Sequence, residues 1–354
     1  MADWRIKNRR ISRDLVTAFV ATLALVVLSI AFGGQPKAPS SDKPLLNIAY
    51  FPNLTHAPAL IGMARGTFQK AVPDFTIQPR VVNAGPEAME ALLAGEVDIA
   101  YVGPSPAVNT YLKSHGTALK ILAGACSGGA CLVARGDVDI TSVAGLDHHR
   151  IAVPQLGGTQ DVSLRHFLDV NGLSPEEKGG TVSIIPVKNP DILALFLQKQ
   201  IDAAWVPEPW ASRLEKDAKA KIVVDESDLW PGKAFTTTVV VARSAFERLH
   251  PEAVKAVLRA HLQTIDWIHD HSAEAQQVVN GELKRLTGKA LGETVLHRAW
   301  ARLKFSVDPN PSSISALADA AHQAGYLKES PNLDGAFDRV LLAAAEQQRR
   351  LEAR

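Results

Sequence analysis

From Leu45 onward, short apolar runs alternate with helical segments, and this alternation restricts the fold more than any other feature of the chain. Residues 46–50 form a run too short for a helix and read as a strand. Residues 57–70 follow, with Leu60, Ile61, Ala64 and Phe68 at helical spacing. The pattern then predicts a strand over 75–82, a helix over 86–94, a strand over 97–102 and a helix over 106–113. Pro86 suits the first turn of its helix and Gly95 ends it. A second series repeats the rhythm: strand 150–153, helix 159–170, strand 182–187, helix 190–199, strand 201–206 and helix 207–216. A strand over 235–242 runs back toward the first series, and beyond Pro251 the chain reads as wholly helical, its last helix starting near Asp334. Strands joined through helices pair in parallel and need both faces covered, so the class is α/β.

The two series share an echo. Glu90 to Ala100 runs helix, turn, strand, and Ile192 to Ala204 does the same, each with an Asp at the strand entry. One common βαβ turn used twice explains this, and so does duplication.

Charge sets further bounds. The chain has 38 Lys+Arg against 37 Asp+Glu, net +1, which gives no reason to expect a nucleic-acid partner. The average hides an asymmetry: within residues 1–14, Arg5, Lys7, Arg9, Arg10 and Arg13 face only Asp3 and Asp14, a local +3. The remaining chain therefore sums to −2. Leu15 to Phe32 follows without a charge. A basic segment before an apolar one is the layout of an export signal, and a run of about 18 residues can also span a bilayer. Residues 1–32 thus read as a signal cleaved after Ala31 or as a single N-terminal membrane anchor. Either places the body outside the cytoplasm, in a periplasm, because the basic cluster stays inside. Residues 33–44, rich in Gly, Pro and Ser, read as a linker.

In open α/β sheets, ligands bind beyond the carboxyl ends of strands. The turns there are Phe51 to Ala57, Asn83 to Pro86, Gly103 to Pro106, Gly124 to Gly129, Gln155 to Gln160 and Pro207 to Trp210. They are rich in Gly, Pro, Ser and Thr and nearly free of Lys and Arg. Free amides at helix starts suit an anion, and the hydroxyls of Thr55, Ser105, Ser127 and Thr159 add donors. Such turns are also simply how strands meet helices. His56 lies in the first of them, either as a ligand contact or as a structural histidine. Trp205 and Trp210 flank Val206 to Pro209 and read either as the apolar wall of a site or as core. Glu208 reads as a charge at a helix start or as a hinge contact.

Cys126 and Cys131 enclose four residues and read either as a small-loop disulfide or as buried thiols. They lack His partners for zinc, and the paired histidines His148/His149 and His269/His271 form no metal motif. No nucleophile elbow, P-loop, HExxH or dinucleotide fingerprint is present. The expectation is a non-enzyme with no cofactor and no metal.

Four stretches carry a family likeness: Ala57 to Phe68, Gly95 to Gly103, Pro154 to Val162 and Asp202 to Ala211. In them the chain resembles the periplasmic solute-binding proteins of ABC importers, in the group serving aliphatic sulfonates, taurine, nitrate and bicarbonate. That group is related to the thiamine-pyrimidine-precursor binding proteins. The resemblance implies a type II periplasmic-binding fold, two α/β lobes joined by two crossover segments near residues 133 and 235, with a helical C-terminal extension. Lobe I would comprise residues 45–132 plus 236–354, and lobe II residues 133–235. It further implies a cleft formed by Asn53, Thr55, His56, Gly85, Ser105, Pro106, Ser127, Gly158, Thr159, Gln160, Glu208 and Trp210. The expected role is capture of a small organosulfonate-like anion, an aliphatic sulfonate or taurine, and delivery to the membrane subunits of an ABC permease by a monomer. Nitrate, bicarbonate or a neutral pyrimidine are the alternative ligands, and an exported enzyme on the same fold is the alternative class. The pyrimidine-making enzymes of this fold carry a Cys-rich motif that two cysteines do not supply.

Overall fold

The computed structural model describes residues 43–352, so the export segment expected at 1–32 and nearly all of the linker lie outside the described residues. The strands are β1 (Leu45–Tyr50), β2 (Thr76–Val81), β3 (Ile99–Val102), β4 (Leu119–Gly128), β5 (Ala130–Ala134), β6 (Arg150–Val153), β7 (Ser183–Pro186), β8 (Ala203–Pro207), β9 (Lys221–Asp225), β10 (Thr236–Arg243) and β11 (Leu303–Lys304). Between the strands lie helices α1 (Ala57–Ala64), α2 (Thr67–Ala71), α3 (Gly85–Leu93), α4 (Pro104–Lys113), α5 (Thr159–Asp169), α6 (Asn189–Leu197) and α7 (Trp210–Asp217). After β10 come α8 (Ser244–Leu249), α9 (Pro251–Asp270), α10 (Ser272–Thr287), α11 (Glu293–Trp300), α12 (Pro311–Gln323) and α13 (Arg339–Glu352). Among the described residues no helix is long and apolar enough to cross a membrane.

The strands form two sheets, in the orders β11-β4-β10-β3-β1-β2 and β7-β6-β8-β5-β9. In the first, β1 pairs in parallel with β2 and β3, while β10 runs antiparallel to β3 and β4. In the second, β6 pairs in parallel with β7 and β8, while β5 runs antiparallel to β8 and β9. The chain leaves the first sheet at Gly128 and enters the second at Ala130, ahead of the expected crossing near 133. It returns between β9 and β10, over Glu226 to Phe235.

Every residue of β3, β5 and β8 is buried, as expected of strands covered on both faces. Leu46, Ile48 and Tyr50 of β1 pack with Leu60 and Ile61 of α1 and with Val254 and Leu258 of α9. The opposite face is covered by Met89 and Leu92 of α3 and Val108 and Tyr111 of α4. Each large apolar side chain buried this way contributes about 1.5–3 kcal/mol relative to exposure.

The echo seen in the sequence is carried down to hydrogen bonds. Asp98 precedes β3, and its carboxylate accepts from the Asn47 backbone N–H (2.9 Å) and from Arg243 at the end of β10 (2.6 Å). Asp202 precedes β8, and its carboxylate accepts from the Arg150 backbone N–H (3.0 Å) and from Arg135 just beyond β5 (3.2 Å). In both sheets an aspartate thus ties the start of the central strand to its parallel and antiparallel neighbours.

Three expectations need correction. The helix expected over 57–70 is two helices, because Gly66 adopts a left-handed φ of 66° and turns the chain between them. The C-terminal region is not wholly helical, since Leu303 and Lys304 add an edge strand to β4. Its last helix begins at Arg339 rather than near Asp334. The C-terminal region does not stay on one sheet: α12 packs on both α4 and α5. There Leu317, Ala320 and Ala321 meet Val162 of α5 and Trp230 and Phe235 of the return crossing.

Candidate functional site

A small cavity lies where the carboxyl ends of strands from both sheets face one another. The first sheet contributes Phe51, Asn53, Thr55 and His56 after β1, Asn83, Ala84 and Gly85 at the start of α3, and Gly103 and Pro106 at the start of α4. The second contributes Pro154, Gln155, Gly158, Thr159 and Gln160 around the start of α5, Asn189 at the start of α6, and Pro207. Thr237 of β10 completes the lining.

Five helices, α1 and α3 to α6, therefore begin at the cavity. A helix start carries unsatisfied N–H groups and a partial positive charge, a ready anion seat. They are not equal. Pro86, Pro104, Pro106 and Pro190 remove amide protons from the first turns of α3, α4 and α6, whereas the first turn of α5 contains no proline. Its N-cap is Gly158, which has no side chain to occupy those amides. Thr159 and Gln160 are buried there, and the Gly157 loop before them is held from behind. The fully buried Asp161 carboxylate accepts from the Gly157 N–H (2.7 Å), from Arg165 Nε (2.8 Å) and from the Tyr326 hydroxyl of the C-terminal region.

Among the described residues no Lys, Arg, Asp or Glu lines the cavity. Its one titratable group, His56, is buried, which depresses the imidazole to about 3 and keeps it neutral. His56 Nδ1 accepts from the Phe51 backbone N–H (3.4 Å), so the ring proton sits on Nε2 and the free edge is a donor. Asn53 is orientated from outside: the Trp210 indole N–H donates to Asn53 Oδ1 (2.8 Å), leaving the amide's donor end. Asn189 is 6% exposed, and its Oδ1 is buried without a partner among the described residues. The sheets approach closely here. A Cβ on Gly103 would lie 2.3 Å from Thr159 Oγ1, so only glycine permits the approach.

Eight of the expected cleft residues line this cavity: Asn53, Thr55, His56, Gly85, Pro106, Gly158, Thr159 and Gln160. Four do not. Ser105 is buried behind the lining, its N–H pointing at Thr159 Oγ1 (3.4 Å) and its hydroxyl at the Gly157 carbonyl (3.5 Å). Ser127 is held in the β4 ladder between Thr236 and Lys304. Glu208 is fully buried and accepts from Ser212 N (3.0 Å), Ser212 Oγ (2.9 Å) and Arg302 (2.7 Å). Burial raises its carboxyl above the ordinary value, against the lowering pull of Arg302 and Ser212. Trp210 lies behind Asn53 and Trp205 is core, edge-on to Phe167 at 5.7 Å with its N–H on Glu226 (3.0 Å), so no tryptophan wall exists. Cys126 and Cys131 are free, buried thiols, one in each sheet.

Asn189 and Thr237 escaped the sequence reading. Asn189 opens a helix after a strand, the same signal that marked Gly85 and Thr159, and it could have been found that way. Thr237 is the second residue of β10, inside a run of threonines, and nothing local marks it.

A model of the NMT1-like family matches residues 40–280. The taurine-binding periplasmic protein of Escherichia coli (strain K12) is 28% identical over 77% of this chain and 80% of its own length. Among solved structures, the alkanesulfonate-binding protein of Xanthomonas axonopodis pv. citri bound to MOPS superposes with a TM-score of 0.70 at 20% identity, covering 83% of this chain and 98% of that one. The periplasmic nitrate-binding protein of Synechocystis PCC 6803 gives 0.73 at 18% identity, covering 87% and 89%. The fold is that of the periplasmic binding proteins, with a helical C-terminal region.

Proposed function

Because the chain belongs to the NMT1-like family, we propose that it is the solute-capturing component of an ABC importer and holds a small organosulfonate-like anion between its two sheets. The supporting observation is a cavity without a single charged side chain, into which helix starts and the donors of Asn53, Thr55, His56 and Thr159 converge. Partial charges and hydroxyls suit a spread-out monoanion such as a sulfonate. With no carboxylate in the lining, an ammonium group would be buried without a counter-ion. An alkanesulfonate with an uncharged tail is therefore preferred over taurine, although the Escherichia coli relative is a taurine-binding protein.

On this reading each sheet with its helices forms one lobe, the chain crossing at Gly129 and returning over 226–235, and the lobes close over the solute by hinge motion. Residues 1–32 export the protein to a periplasm or hold it at the membrane, where it works as a monomer with the permease subunits. That the relatives are named as binding proteins supports capture over catalysis.

The test is thermal unfolding with methanesulfonate, ethanesulfonate, taurine, nitrate and bicarbonate, since a solute bound only by the folded state raises Tm. The largest rise is expected with a short alkanesulfonate. No rise with any oxyanion would overturn the reading.

A further inference from the structure

We propose that Trp210 is a positioning residue for the ligand, acting through Asn53; this rests on the solute-capture reading above. An asparagine amide has an acceptor end and a donor end, and which of them meets a ligand decides what can bind. An indole N–H only donates. The atom it meets at 2.8 Å must therefore be the amide oxygen, and the NH2 group is the end left for the cavity. Both partners are buried, Asn53 at 4% and Trp210 at 6% exposure, so water does not compete for the bond.

The frame around this bond is fixed on both sides. The Leu54 N–H donates to the Glu208 carbonyl (3.1 Å), and the Glu208 N–H donates to the Gly129 carbonyl (2.7 Å). The Arg213 guanidinium lies over the Trp210 ring, 5.0 Å from its centre. Asn189 is the contrast: among the described residues no donor holds its buried Oδ1. The cavity thus has one amide held as a donor and one whose oxygen is not held. The lock comes from the opposite sheet, since Asn53 follows β1 and Trp210 follows β8, so Asn53 is set as a donor only when the sheets are together.

The experiment is a double-mutant cycle on the methanesulfonate Kd, by calorimetry, with wild type, Trp210→Phe, Asn53→Ala and the double variant. Trp210→Phe is expected to weaken binding about tenfold, the effect of one lost orienting hydrogen bond. In the Asn53→Ala background the same change is expected to cost less than about twofold, because Trp210 then has nothing to orient. Asn53→Asp guards against a folding defect in Trp210→Phe: the carboxylate still accepts the indole N–H but presents a negative charge, and binding is expected to fall more than about a hundredfold. In protein labelled with 15N-tryptophan, Asn53→Ala is expected to shift the Trp210 indole N–H resonance. Unchanged affinity in Trp210→Phe, additive effects across the cycle, or full binding by Asn53→Asp would each overturn the proposal while leaving the solute-capture reading intact. If wild type binds no oxyanion, both fall, and an indole shift in Asn53→Ala would mark the bond as structural only.

Discussion

The two sheets run through the same sequence of neighbours: β2-β1-β3-β10-β4 in the first and β7-β6-β8-β5-β9 in the second. Each starts its central strand with an aspartate tied to an arginine on the antiparallel neighbour, Asp98 to Arg243 and Asp202 to Arg135. They differ at the cavity ends. The first sheet supplies proline-rich helix starts and side-chain donors, while the second supplies the one proline-free helix start, that of α5. The shared part is what two mixed sheets of this order need in order to stand. The divergent part is the start of α5: both sheets bring side chains, Asn53 and Thr55 from the first and Thr159 and Asn189 from the second, and the second alone adds a first helical turn with all its amides.

The largest expected effect breaks the shared part. Asp98→Ala leaves the Asn47 N–H and Arg243 without their acceptor at a site where the carboxylate is 5% exposed, and should cost about 3–5 kcal/mol in chemical denaturation. Asp202→Ala should cost less, about 2 kcal/mol, because Arg150 is 44% exposed and regains water. Equal costs would show that the two clusters are not ranked by burial. Asp202 also carries a pH signature. Burial pushes its carboxyl up, but the hydrogen bonds and charges of Arg150 and Arg135 outweigh burial and hold it below the ordinary value. That contribution is present above about pH 4 and lost as pH falls below it.

The next effect tests the approach of the sheets. Gly103→Ala forces a Cβ against Thr159 Oγ1 and should weaken methanesulfonate binding about a hundredfold with little change in Tm of the unliganded protein. Thr159→Ala in the same chain should restore part of the loss. Failure of that rescue would place the clash elsewhere.

Glu226 gives a third test, confined to the second sheet. Burial lifts its carboxyl to about 7, against Ser163 and Trp205, which pull it down. The folded protein then holds a proton that the unfolded chain releases near pH 4.5, so stability falls as pH rises from there toward 7. Glu226→Gln can still accept from Trp205 and should be about 2 kcal/mol more stable than wild type at pH 8, with no gain at pH 4.5. A gain independent of pH would break the assignment. The smallest effect is at the cavity itself: with His56 neutral above about 3, methanesulfonate affinity should vary less than about twofold between pH 5 and 8.

Much of this was legible locally. Strands β1, β2, β3, β6, β7, β8 and β10 were expected within a few residues; all but β2, a largely exposed edge strand, are mainly apolar runs bounded by turn residues. Strands β4, β5 and β9 were not. Residues 119–128 of β4 are diluted by Gly, Ala and Ser, and the structure shows why: a Cβ on Gly124 would sit 2.2 Å from the Asp308 carbonyl. Small residues there answer a distant segment, and that need leaves no periodic signal. In the cavity, the turn residues Thr55, His56, Gly158, Thr159 and Gln160 were marked by following strands. Glu208 and Trp210 were marked by the same rule and turned out to stand behind the lining, because a turn shows where a residue sits and not which way its side chain is held.

By itself the sequence determined the α/β class, the two series, the repeated aspartate and the scarcity of charge at strand ends, since these follow from local periodicity and composition. Only the tertiary structure decided that α12 packs on both α4 and α5, that Asp161 braces the start of α5, and that the Trp210 indole donates to Asn53. Each of those depends on groups far apart in the chain meeting at hydrogen-bond distance, and no local pattern encodes such a meeting.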